Sequence, residues 1–134
     1  MTTTLTTARN ELLEQLITRA GSARVRCDGG SMEPTVRVGT DVEVRPCDRP
    51  RPGDVVLFRN RTGLVLHRVL WYIKPLDRFV HIGDCPGARA GIASCDQILG
   101  VATVPRQIPG LAAQWSGLRY IARAAAGRIR RAAS

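Results

Sequence analysis

The sequence predicts a mostly β, α+β chain: a compact mixed or coiled antiparallel sheet of short strands with one helix before it and one after. Two observations carry that expectation. Between residues 22 and 105, short runs of Val, Leu, Ile and Phe are separated by clusters of Gly, Pro, Asp and Asn, the pattern of strands joined by turns. At both ends the apolar residues recur every three or four positions instead, which is helical spacing. The 134 residues fit one domain. At that size a single core buries about two-thirds of the unfolded surface, so neither a disulfide nor a metal is needed for stability. Aromatic residues make up only 4% of the chain, so Val, Leu, Ile and Ala must build the core.

The first helix is expected over residues 5–20. Leu5, Leu12, Leu13, Leu16 and Ile17 line one face, and Gly21 stands where a helix C-terminal glycine belongs. Strand-type runs come next at Val42–Val44, Val55–Phe58, Leu64–Leu66 and Phe79–Ile82. Turn clusters separate them at Pro46–Asp54, Asn60–Gly63, Gly83–Asp84 and Pro86–Gly91. The last helix is expected over 110–131, where Leu111, Trp115, Leu118, Ala122, Ala125 and Ile129 form a stripe flanked by arginines. The units are therefore 1–21, a β domain over 22–105, and a basic amphipathic helix over 106–134. The alanines in the stripe suit close packing on the domain. The alternatives are an interfacial helix on anionic lipid and a helix docked on a partner protein.

Composition narrows the function classes. The net charge is +9; no acid occurs after Asp96, and residues 97–134 carry six arginines. Such a tail suits anionic lipid, nucleic acid or an acidic partner, and also a plain solvated helix face. Few aromatic residues and no recognition motif argue against nucleic acid. The cysteines at 27, 47, 85 and 95 contain no C-x-x-C pair, which is poor zinc-site grammar, so no metal or other cofactor is expected. No apolar leader opens the sequence, and no run of about 18 uncharged apolar residues occurs in it. The expectation is a cytoplasmic protein, peripheral at the membrane if its last helix binds lipid. Its cysteines should be reduced and mostly buried.

The chemistry concentrates at Gly29-Gly30-Ser31-Met32-Glu33-Pro34-Thr35. Two glycines permit unusual backbone dihedrals and leave room for a substrate chain beside the serine. A serine after Gly-Gly is more often a plain turn residue. Four stretches downstream change that reading: Gly39-Thr40-Asp41-Val42, then Gly53-Asp54-Val55-Val56-Leu57-Phe58, His67-Arg68-Val69-Leu70 and His81-Ile82-Gly83-Asp84. The five boxes, in this order over residues 29–101, resemble the type I signal peptidases, which share their fold with LexA-type repressors. The resemblance implies a coiled antiparallel signal-peptidase-like fold and peptide-bond hydrolysis through an acyl-enzyme on Ser31. Most bacterial relatives place a lysine in the base box. Here that place is held by His67, as in the endoplasmic reticulum and archaeal subtype. The single lysine of the chain, Lys74, lies outside the box.

Histidine suits the task, since imidazole is neutral near pH 7 without the burial a lysine would need. A third group commonly orients the imidazole. Asp84 is the first candidate and Asp96 the second. The sequence departs from the family in three ways. The second aspartate that usually comes after the Gly-Asp box is missing, Gly29 replaces a serine that aids the oxyanion in relatives, and the membrane anchor has no counterpart. The oxyanion hole would then rest on backbone N–H groups, that of Ser31 among them. The resemblance also puts Gly30, Met32 and Pro34 beside the substrate, with a simple core role as the alternative for Met32. His81 is expected to be structural, Cys85 an idle thiol, and Trp71 and Tyr72 core or rim. The expected function is a serine endopeptidase that matures a leader or precursor peptide, with small residues preferred one and three positions before the cut. The alternative from another class is a non-catalytic basic module that binds nucleic acid or a partner protein.

Overall fold

The computed structural model describes the backbone of residues 2–61 and 63–133 and the side chains of 8–61 and 63–128. Helix α1 (Thr2–Ala20) leads into strands β1 (Ala23–Arg26), β2 (Asp41–Arg45), β3 (Val55–Asn60), β4 (Gly63–Ile73), β5 (Arg78–Ile82), β6 (Gly91–Ser94) and β7 (Ile98–Ala102). Helix α2 (Leu111–Ala133) closes the chain. The strands form one sheet in the order β1-β2-β7-β3-β4-β5-β6, every pair antiparallel, curled into a half-barrel. The mostly β class with a helix at each end is thus the observed architecture.

The sheet is buried on both faces at its centre. Val55, Val56, Leu57 and Phe58 are all buried, although alternate residues of a strand point opposite ways. Val55 and Leu57 join a core with Ile17 of α1, Val25, Met32, Val36, Val42 and Val44. Val56 and Phe58 join the opposite cluster with Val69, Phe79 and Ala93. A β-bulge comes after Val69, where the pairing passes from Val69↔His81 to Trp71↔Val80 and leaves Leu70 extra. Leu70 packs with Val80, Ile82 and Ala90 in a third cluster, against which Ala113 and Ile121 of α2 rest.

Several expectations need correction. The sequence pattern does not reveal β1, β6 or β7, and β4 continues from Leu66 through the base box to Ile73. Only Cys27 is fully buried; Cys47 is exposed, and Cys85 and Cys95 are half-buried. The side chains of Leu5 and Ile129 lie outside the described residues. The stripe on α2 does not pack on the domain: Leu111, Trp115 and Leu118 are 87%, 59% and 51% exposed. The helix seats itself through Ala113, Gly117 and Ile121 instead. A Cβ on Gly117 would lie 2.5 Å from the Trp71 ring, so only a residue without one lets the helix come this close. Among the described residues no helix is long and apolar enough to cross a membrane.

Candidate active site

His67 on β4 and His81 on β5 are diagonal neighbours. His81 pairs with Val69, and His67 lies two residues earlier on the same face. Their Nδ1 atoms are 2.8 Å apart, so one ring donates an N–H and the other accepts. Phe58 underlies both rings, with centroids 4.6 Å from His81 and 6.2 Å from His67. His81 also packs on Phe79. Opposite His81 stands Gly91, where a Cβ would come within 2.7 Å of the imidazole. That glycine leaves the space the ring occupies.

Burial against this aromatic wall disfavours the charged imidazoles. It is the main reason His81 is pushed down to about 4, with His67 adding repulsion. His67 is lowered too, chiefly by burial, with the charge of Asp84 pulling the other way. Both rings are therefore neutral at pH 7. A neutral pair joined through Nδ1 has two tautomeric arrangements. In one, His67 donates from Nδ1 to His81, and its Nε2 carries a free lone pair.

Ser31 sits in a turn between β1 and β2, held from below and from the side. Met32 is fully buried in the core and anchors it. Val36 N–H donates to Met32 O at 2.9 Å, and Cys85 N–H donates to Ser31 O at 3.0 Å. Thr35 Oγ1 donates to Asp84 Oδ2 at 2.6 Å. Asp84 in turn accepts from Arg68 at both oxygens, Nε to Oδ1 at 2.8 Å and Nη2 to Oδ2 at 2.6 Å. Arg68 is only 2% exposed and spends its remaining donor, Nη1, on the carbonyls of Gly53 and Pro105. Burial works against the Asp84 charge, but the Arg68 and Thr35 hydrogen bonds prevail and hold its pKa below the usual carboxylate value.

Asp84 therefore does not stand where the sequence pattern puts it. Its carboxylate is taken by Arg68 and Thr35, and the hydrogen-bond partner of His67 is His81. Asp96 is exposed in the short 3-10 turn Cys95–Gln97. That turn lies beyond the Arg78–Ser94 end of the β5–β6 pair, whereas His81 is at the Gly91 end. Lys74 is exposed in the turn after β4. His81, expected to be structural, is the site residue that sequence reasoning misses.

Ser31, His67 and His81 open onto one cleft of about 450 Å³. One wall is β1 with Cys27–Gly29, the other Gly63–His67 of β4. Both walls are strand edges: among the described residues β1 pairs only with β2, and β4 meets β5 only from Arg68 onward. Among the described residues Ser31 Oγ makes no hydrogen bond to His67, and the two are brought together as walls of this cleft. Such bonds are commonly long in an empty site and tighten with substrate. Of the three residues expected beside the substrate, Met32 is core, and Gly30 and Pro34 are exposed in the turn, outside the cleft lining. Gly29 lines the cleft in their place. Among the described residues no group of three or more His, Cys, Asp or Glu side chains gathers as a metal-binding set. No family model, no curated protein and no solved structure matches the chain.

Proposed function

We propose that the protein is a serine endopeptidase of the signal-peptidase-like kind, working through Ser31, His67 and His81. The observation that carries the reading is the opening of these three side chains onto one cleft, with the histidines hydrogen-bonded to each other. The order of the sequence boxes adds independent support. The cleft suits an extended peptide, because strand edges on both sides offer main-chain partners to a third strand.

In the mechanism, His67 Nε2 accepts the proton of Ser31 Oγ as the oxygen attacks the scissile carbonyl carbon. Main-chain N–H groups around Ser31 stabilise the oxyanion of the tetrahedral adduct. The His67 imidazolium keeps its Nδ1–H on the lone pair of His81, which fixes the ring and its tautomer. His67 then gives the Nε2 proton to the leaving amine as the C–N bond breaks. Water, deprotonated by the same nitrogen, attacks the Ser31 ester, and His67 returns that proton to Ser31 Oγ as the acyl C–O bond breaks. His81 is thus a positioning residue, in the place an aspartate takes in the Ser-His-Asp arrangement. Asp84 acts elsewhere: with Arg68 it ties the nucleophile turn to the strand that bears the base.

The test is a peptide library with small residues one and three positions before a possible cut, read by mass spectrometry. Acid quenching during turnover should trap an ester on Ser31. Ser31→Ala and His67→Ala should each lower cleavage by about a millionfold and abolish the trapped ester. Cleavage by Ser31→Ala near the wild-type rate would sink the proposal. Loss in Lys74→Ala comparable to that in His67→Ala would replace the imidazole base with an amine.

A further inference from the structure

We infer that α2 docks the protein on an anionic lipid bilayer, with an apolar row entering the headgroup boundary and an arginine row meeting the phosphates. The inference does not rest on the peptidase reading. Its first ground is the row Ile108, Leu111, Trp115 and Leu118, which are 72%, 87%, 59% and 51% exposed. They are large apolar residues; Leu111, Trp115 and Leu118 recur at i, i+4 and i+7 on one face of the helix, and the helix does not seat itself through them. Its packing face, Ala113–Gly117–Ile121, lies about a third of a turn away from the row, since each residue advances the helix by roughly 100°.

The second ground is charge. Arg119 and Arg123 lie one helical row beyond Trp115 and Leu118, and with Arg89 they line a groove of about 740 Å³ against the 87–90 loop. Ser116 and Tyr120 complete its polar lining, and no acidic residue is part of it. None of the ion pairs among the described residues involves these three arginines. The sequence holds no acid after Asp96, so nothing on the helix offsets them.

Apolar row and cationic row together select the occupant. Nucleic acid would satisfy the arginines and leave Leu111, Trp115 and Leu118 in water. A second copy of the same face would bury the apolar row and bring like-charged arginine rows together. An anionic bilayer meets both: phosphates for the arginines, acyl-chain boundary for the row, and the interfacial depth that Trp and Tyr prefer. Each arginine near such a surface adds attraction, and that part is screened by salt.

The test is co-sedimentation of the full chain with vesicles of phosphatidylcholine alone, and with vesicles containing a quarter phosphatidylglycerol, at low and high salt. Tryptophan emission is measured in parallel, with Trp115→Phe identifying the residue responsible. Binding to the anionic vesicles at low salt, weakening with salt, and a blue shift lost in Trp115→Phe are expected. The double variant Trp115→Ser, Leu118→Ser should bind at least tenfold more weakly. Arg119→Gln, Arg123→Gln should weaken binding about fivefold per arginine and flatten the salt dependence. Those four side chains are solvent-exposed, so both variants should unfold at the wild-type temperature. No sedimentation with anionic vesicles at low salt overturns the inference. So does equal binding to both vesicle types, or anionic binding that the serine variant leaves unchanged.

Discussion

The hydrogen bond between two neutral imidazoles has a direct consequence for the pH profile. The proposed mechanism needs His67 uncharged, and burial has lowered its pKa. The rising limb of kcat/KM should therefore lie below pH 6.5. His81→Asp replaces a neutral acceptor with a carboxylate that stabilises the imidazolium, so it should move the limb to higher pH. His81→Ala removes the acceptor and should lower kcat on the order of a hundredfold with little change in KM. An unmoved limb in His81→Asp and an undiminished kcat in His81→Ala would return His81 to a structural role. At Asp84 the expected effect is on stability first. Asp84→Asn leaves Arg68, only 2% exposed, without its counter-charge. Removing one partner of such a pair costs about 3 kcal/mol, readable as a lower denaturant midpoint. Since the Asp84 pKa is depressed, its contribution is present above the unfolded value near 4 and is lost as pH falls below it. Much of this site is legible in the sequence. Ser31 and His67 emerge from the order of the boxes, and alternation along the strand already separates Arg68 from His67. The partnership of His67 with His81 is not legible there, because it depends on the pairing of His81 with Val69 across two strands.

The elements differ in how plainly the chain announces them. The run Val55–Phe58, entered through Pro52-Gly53-Asp54, reads as a strand because it is buried on both faces. Strand β1 has four residues, two of them arginine, and β7 carries Gly100 at its centre, a residue that usually signals a turn. Sheet neighbours hold both in place, so their strand character is tertiary in origin. In α2 the bulky periodic stripe announces the helix but not its seat, which small residues provide. Gly117→Ala tests this. Alanine is favoured in an isolated helix by about 1 kcal/mol, yet here its Cβ would press into the Trp71 ring. The overpacking cost of about 1–3 kcal/mol should win, lowering the unfolding temperature. Leu111→Ala, at a site 87% exposed, should leave that temperature unchanged.

For the whole molecule the buried imidazoles set the acid limit. An unfolded chain protonates His81 near pH 6.5, while the folded chain holds it neutral down to about 4. Protons thus favour the unfolded state between those values, and stability should fall as pH drops through that window. Thermal unfolding measured from pH 7 to pH 4 should show the decline, and His81→Gln should flatten it. The charge distribution acts on the same scale: a net +9 that is not balanced within the C-terminal third keeps copies apart in solution while biasing the molecule toward negative surfaces.

The cleft between β1 and β4 also bears on how the protein survives at high concentration. An unpaired strand edge accepts any extended chain, including one from a neighbouring molecule, and is a standing template for aggregation. On β1 the side chains of Arg24 and Arg26 are exposed, Arg26 at 3.5 Å from the Asp41 carboxylate, and Arg9 of α1 also lines the cleft. Two copies that tried to join edge to edge would bring these guanidiniums together. The arginines thus act as gatekeepers that leave the edge open to a short single strand and closed to a whole sheet. Arg24→Val, Arg26→Val should fold normally, since valine suits a strand, and should scatter light and bind thioflavin more strongly than the wild type as concentration rises.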